Sequence, residues 1–304
     1  MNKSLLDIVI VNWNAGELLK ECIDSIIKNK NKNIGSVIVV DNASSDNSIS
    51  ILPDNESYIK IIYEKLNHGF GKACNIGASH SDAKYILFLN PDTVINKFSI
   101  DSAINFMNKE SSENIGICGV QLKDDNGISA SCSRFPSLGN IIYSSIGLSK
   151  IFPRLGSPMK DFSHEYSKEV DQVMGAFFLI RSSLYKKCNG FDERFFVYYE
   201  EVDLSKRVSD LGFKSMFLSD SNVFHVGGGI SQQVKAKRLF YSLRSKTLYS
   251  RKHFNYFNYL AIYFSIFSLE FLSRIIFSTA KFDPKGVFET LTAYKLLLIW
   301  TLKK

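Results

Sequence analysis

The sequence predicts an α/β fold, a mostly parallel central sheet flanked by helices, followed by C-terminal amphipathic helices. Three observations predict it. Short apolar runs alternate with segments of helical period through the first half of the chain. Three of the first four runs end in polar clusters: Asn12-Trp13-Asn14, Asp41-Asn42 and Asn90-Pro91-Asp92. Ligands of open α/β sheets bind at such carboxyl ends. The chain after about His253 then loses the alternation and becomes aromatic and apolar.

In order, Asp7 to Asn12 reads as a buried strand. Glu17 to Lys28 reads as a helix, with Leu18, Leu19, Cys22, Ile23, Ile26 and Ile27 on its apolar side. Val37 to Val40 is a second strand, after which Ser45 or Asp46 can cap a short helix through Leu52. Ile59 to Tyr63 is a third strand, Gly71 to Ser79 a helix and Tyr85 to Leu89 a fourth strand. Ser99 to Asn108 is a helix, Gly116 to Leu122 a strand, and Asp124 to Gly127 a turn. Arg134 to Lys168 has weak periodicity with several Gly and Pro, and reads as a long functional loop or mobile lid. Val173 to Ile180 is a strand, Ser182 to Lys187 a short helix and Lys214 to Leu218 a last strand. Between them lies an acidic, aromatic stretch, Gly190 to Leu204, which turns helical near Glu200. It places Glu200, Glu201 and Asp203 in a first helical turn, where the helix dipole favours an ionised carboxylate. Asp203 and Arg207 can pair one turn apart.

The net charge of +7 is local. No acid occurs from Ser221 to Leu269, a window that holds Lys235, Lys237, Arg238, Arg244, Lys246, Arg251 and Lys252. Such a patch suits phosphates, and without an accompanying recognition motif it argues against nucleic acid. The five cysteines are scattered, with no C-x-x-C. They predict free thiols in a reducing compartment, and exclude a disulfide framework or zinc site. Met1 to Leu6 leads straight into a strand-like run, which predicts no signal peptide. Phe254 to Leu269 carries no charge, and Glu270 and Arg274 behind it can pair. Gly286 to Leu302 puts Val287, Leu291, Tyr294 and Leu298 on one stripe. These read as interfacial helices on a membrane. The alternative is a helical subdomain packed on the rest of the chain, or on a second copy in a homo-oligomer. The division is a catalytic domain over 1–252 and a helical region over 253–304.

Several motifs carry chemistry. Asp92, on an acidic turn at a strand end, can hold a hard divalent cation that keeps water and phosphate ligands. His225, directly before three glycines, can be a second ligand or a phosphate donor. Asn67 to Gly77 begins like a dinucleotide fingerprint. Cys74 stands where its third glycine belongs, and the segment follows the third strand rather than the first, which rules out a Rossmann dehydrogenase.

Together these motifs resemble family 2 glycosyltransferases of the GT-A fold, in particular a bacterial rhamnosyltransferase-like branch. The resemblance runs from Leu6 to Lys252 and rests on five ordered segments: Ile8 to Asn14, Val40 to Asp46, Asn67 to Gly77, Leu89 to Asp92, and Gly190 to Arg207 with His225. It implies that Asp41 binds the nucleobase or ribose with Asn12 and Asn14 nearby, and that Asn67 and Asn75 lie on the donor side. Asn90-Pro91-Asp92 occupies the D-x-D position, with Asn90 in place of the first acid. The resemblance makes Asp92 and His225 ligands of magnesium or manganese. Glu200-Glu201 fills the Glu-Asp position, making Glu201 the candidate base and Glu200 its alternative, with Glu where Asp is usual. It implies an inverting transfer from a nucleoside-diphosphate sugar, dTDP-rhamnose or a UDP-sugar, to a glycan or polyprenyl-pyrophosphate-linked acceptor. The expected place is the cytoplasmic membrane face, in cell-surface polysaccharide synthesis. Two rivals differ in what they predict. A sugar nucleotidyltransferase needs a glycine- and basic-rich loop after the first strand, where Asn12 to Gly16 supplies none. A non-catalytic assembly subunit predicts that Glu201→Gln changes nothing.

Overall fold

The computed structural model describes residues 4–53, 56–227 and 235–303. Its elements are β1 (Leu6–Asn12), α1 (Glu17–Lys28), β2 (Ile34–Asn42), β3 (Ile59–Glu64), α2 (Phe70–Ala78), β4 (Tyr85–Leu89), β5 (Thr93–Ile95), α3 (Ser99–Met107), β6 (Ile115–Asp124), β7 (Gly127–Ser129) and β8 (Cys132–Ser133). There follow α4 (Leu138–Ser145), α5 (Leu148–Ile151), β9 (Lys168–Val170), β10 (Gln172–Val173), β11 (Phe177–Arg181), α6 (Ser182–Lys187), α7 (Glu200–Asp210), β12 (Lys214–His225), α8 (Lys235–His253), α9 (Tyr256–Ser265), α10 (Phe271–Ala280) and α11 (Pro284–Leu302).

The main sheet runs β3-β2-β1-β4-β11-β6-β12-β5. Its first four strands are mutually parallel, β11 is antiparallel to both neighbours, and β5 is antiparallel to β12. Successive side chains of β1 point to opposite faces, as the period of two requires. Leu6, Ile8 and Ile10 pack with Leu19, Cys22 and Ile23 of α1 and with Ile104 of α3. Val9 and Val11 face Ala73 and Cys74 of α2, together with Leu204 and Val208 of α7. Burial on both faces explains why these strands read as unbroken apolar runs.

Five expectations change. Residues 45–52 form turns rather than a helix. The side chains that would cap it are used elsewhere: Asp46 Oδ2 accepts from Gly16 N at 2.9 Å, and Ser45 Oγ donates to Asn14 Oδ1 at 3.4 Å. The expected loop over Arg134–Lys168 contains α4, started by a capping box between Ser137 and Asn140. The expected strand over Val173–Ile180 is two strands, and the last strand runs on past a bulge to His225. On α11, Thr290, Ala293, Tyr294 and Leu297 turn inward, while Leu291 and Leu298 of the predicted stripe stay exposed. All five cysteines are free, as expected.

The C-terminal helices share a third core with the rest of the chain. Ile141 of α4 and Leu243 of α8 pack against Ile262, Ile266, Tyr294 and Leu297. A π-helical turn over Ile266–Glu270 joins α9 to α10. It turns Glu270 inward onto Lys246 at 2.7 Å and Arg274 at 2.8 Å.

Candidate active site

Parallel register brings the first two polar strand ends together, since Asn12 of β1 pairs with Asp41 of β2. The buried Asn12 amide donates to Asp41 Oδ1 at 3.0 Å, Ser44 Oγ at 3.0 Å and Ser48 Oγ at 2.7 Å. Asn14 and Ala43 adopt left-handed backbone, with φ of 53° and 62°, and the Asn14 side chain holds Ser45 N. Asn12 and Asn14 thus shape the loop beside Asp41. Asn42, a strand-end residue with no role assigned from the sequence, donates to Asn67 Oδ1 at 3.1 Å and accepts from His68 N at 2.9 Å. Its place at the end of β2, one residue after Asp41, was the available signal.

The next loop carries the acid of the Asn90-Pro91-Asp92 turn. β5 pairs with β12 so that His225 lies opposite Thr93. This places His225 Nε2 at 3.3 Å from Asp92 Oδ1, and Val226 N donates to Asp92 O at 3.1 Å. Gly228 and Gly229 lie outside the described residues. A buried carboxylate beside an imidazole is a donor set that suits magnesium or manganese. Among the described residues no third His, Cys, Asp or Glu joins it. A divalent cation held by this pair would need water or ligand oxygens to complete its shell, as is usual for magnesium. Asn90 N donates to Ala176 O at 3.1 Å, tying this loop to the segment before β11.

The acids form the third wall. Tyr198 and Tyr199 both have φ of 68°, a costly backbone for non-glycine residues, and they turn the chain abruptly into α7. Glu200 is buried and Glu201 half-buried, and each has one oxygen, Oε2, buried without a hydrogen-bond partner. Glu201 faces Gly175, where a Cβ would lie 3.8 Å from its Cγ. Glu200 faces α2, where a Cβ on Gly71 would lie 3.5 Å from its own Cβ. Burial raises the pKa of both acids, and the neighbouring Glu201 charge adds to the rise at Glu200. The helix dipole alone predicted the opposite, and here loss of water outweighs it. Burial thus works against ionisation of both members of the pair, and Glu200, the more buried of the two, also bears the neighbouring charge.

Asn67 and Asn75 are tied into the protein. Asn67 Oδ1 accepts from Gly69 N at 2.9 Å. Asn75 donates to Phe191 O at 2.9 Å and accepts from Phe191 N at 2.9 Å, fastening α2 to the acidic stretch. Gly69 makes the same junction: its φ is +82°, and a Cβ there would lie 2.2 Å from Phe196 O. Asp203, expected only to pair with Arg207, is a fully buried hub. It binds Arg207 at 2.8 Å, Lys252 at 2.6 Å and His253 at 2.7 Å. Its burial raises the pKa, but His253, Arg207 and Lys252 together lower it further.

The profile of glycosyl transferase family 2 matches residues 7–188, more than half of the chain. The chain belongs to that family. Among relatives of this glycosyltransferase, the N-acetylglucosaminyl-diphospho-decaprenol L-rhamnosyltransferase of Mycobacterium tuberculosis is 25% identical over 236 residues, covering 73% of this chain and 76% of that one. Rhamnosyltransferase WbbL of Escherichia coli is 26% identical over 190 residues, covering 60% of this chain and 70% of that one. The fold resembles the mannosyltransferase PcManGT of Pyrobaculum calidifontis, solved with GDP-Man and Mn2+. The TM-score is 0.56 at 12% identity, covering 96% of this chain and 74% of that one. The glycosyltransferase therefore has the GT-A fold, and its sequence is similar to those of rhamnosyltransferases.

Proposed function

We propose that this glycosyltransferase moves rhamnose, with inversion, from a nucleoside-diphosphate donor to a diphosphate-linked lipid saccharide in cell-surface polysaccharide synthesis. The observation that carries the reading is a short structural bridge. Asn90, two residues before Asp92, bonds Ala176, and the adjacent Gly175 lies against Glu201. A diphosphate held near Asp92 is thereby close to a carboxylate with an unpartnered oxygen. Rhamnose and the lipid diphosphate are taken from the two rhamnosyltransferase relatives.

In this mechanism Asp41, with Asn12 and Asn14, positions the nucleoside. The acceptor hydroxyl gives its proton to the Glu201 carboxylate as its oxygen forms a bond to the anomeric carbon. The bond from that carbon to the diphosphate breaks, and the electron pair leaves on the diphosphate. Magnesium or manganese, held by Asp92 and His225, would supply neutralisation of that charge. Attack opposite the leaving group inverts the anomeric centre.

The C-terminal region supplies the membrane contact of this reading, peripheral on the cytoplasmic face. Tyr256–Ala280 forms 25 residues of helix, whose most apolar window has mean hydropathy 1.7 and is 22% buried. Phe257, Phe264 and Ile276 project outward, as do Ile151 and Phe152 of the adjoining α4–α5 segment. The buried Glu270 and its two cations at mid-helix favour lying on the bilayer over crossing it. Thermal-shift screening of nucleotide sugars tests the donor. The reading predicts stabilisation by a nucleoside-diphosphate sugar that chelation of divalent metal removes. No shift with any such sugar, with magnesium or manganese present, would contradict it.

A further inference from the structure

We infer that Arg244 binds the diphosphate of the acceptor, a reading that rests on the lipid-diphosphate acceptor proposed above. The basic helix α8 has its other inward cations already paired. Lys246 is held by Glu270 at 2.7 Å, and Lys252 by Asp192 at 2.7 Å and Asp203 at 2.6 Å. Half-buried Arg244 has no carboxylate partner among the described residues. Its Nη2 donates to Arg194 O at 3.3 Å, and its guanidinium carbon lies 5.5 Å from the centre of the Trp300 ring. Its Nε is buried without a hydrogen-bond partner. Burial with no compensating anion lowers its pKa, so an arriving anion restores what desolvation costs.

Its position matches an acceptor headgroup. Arg244 and its neighbour Ser245 grip the carbonyls of Arg194 and Val197, the latter at 2.9 Å. Val197 immediately precedes Tyr198, Tyr199 and the Glu200-Glu201 pair, and Arg194 lies three residues before Val197. Trp300 belongs to α11, whose Leu298, Ile299 and Leu302 are exposed. An anionic headgroup on Arg244 therefore sits where α8 braces the loop that leads into the candidate base, with the apolar surface of α11 next to it for a hydrocarbon chain. A guanidinium offers phosphate oxygens two parallel donors, which a lone ammonium cannot.

The test uses the full chain and two acceptors bearing N-acetylglucosamine. One is a short polyprenyl diphosphate and the other an alkyl glycoside without phosphate. Arg244→Ala should raise KM for the diphosphate acceptor at least about tenfold, the loss of one charge-assisted contact. KM for the glycoside and for the donor should stay within about twofold. Arg244→Gln can keep a donor toward Arg194 O while removing the charge, and should show the same selective loss. Equal loss with both acceptors would mean that Arg244 only braces the loop, and would overturn the assignment. So would a preference for the diphosphate that survives both substitutions. A wild-type enzyme with no such preference would overturn the acceptor reading together with the assignment.

Discussion

Glu201 and Glu200 divide one task through their surroundings. Both carboxylates lose water, and the one facing α2 loses more. A base must be ionised, so activity should rise with pH through a limb above the ordinary glutamate value of about 4.3. Glu200→Gln removes the neighbouring acid and leaves Glu201 in place. A pH profile of kcat/KM should show that variant active with its acid limb retained, and loss of the limb would show that Glu200, not Glu201, sets it. Asp203 has the opposite sign. Its pKa is lowered, so the stability it contributes is present above about pH 4 and lost as acid protonates it. Asp203→Asn should cost about 3 kcal/mol in urea unfolding at neutral pH, because Arg207, Lys252 and His253 lose a buried anion. A cost below about 1 kcal/mol would show the hub to be incidental. None of this was legible from spacing. The sequence shows Asp203 and Arg207 one turn apart, but Lys252 and His253 arrive through the tertiary packing of α8.

At the scale of elements, the junction of α2 with the acidic stretch decides whether donor and acceptor sides meet. Gly69→Ala should destabilise by about 1–3 kcal/mol, since it must relieve both a left-handed φ and contact with Phe196 O. Its larger effect should fall on kcat, because Phe196 lies four residues before Glu200. Unchanged kinetics would show that the junction does not position the acids. The helices and buried strands of the first half were readable because their periods are local and both sheet faces are covered. α4 was not, because its apolar residue Ile141 finds partners only in the C-terminal helices. The length of β12 was hidden by its bulge, yet that extension carries His225 to Asp92.

At the scale of the molecule, the C-terminal helices pack on α4, on α8 and on the segment that leads into the acids. Phe254 and Trp300 pack on the cluster of Phe195, Leu248 and Tyr249, beneath the acidic turn. The apolar outer surface should hold the protein on vesicles of anionic lipid. Paired substitutions Phe257→Asp and Ile276→Asp should release it to the supernatant in flotation, while full retention would place the contact elsewhere. The GT-A fold was legible from the order of weak motifs, each ambiguous alone. The inward face of α11 was not, since a stripe of apolar residues does not say which side meets protein and which meets lipid. The central claim concerns chemistry at one carboxylate. Its most direct test is sugar transfer from dTDP-rhamnose to a polyprenyl-diphosphate saccharide by wild type and Glu201→Gln, with magnesium or manganese. Wild type should give product of inverted anomeric configuration. Glu201→Gln should lose at least about 100-fold in kcat while still binding donor. A variant as fast as wild type, or a product of retained configuration, would contradict it.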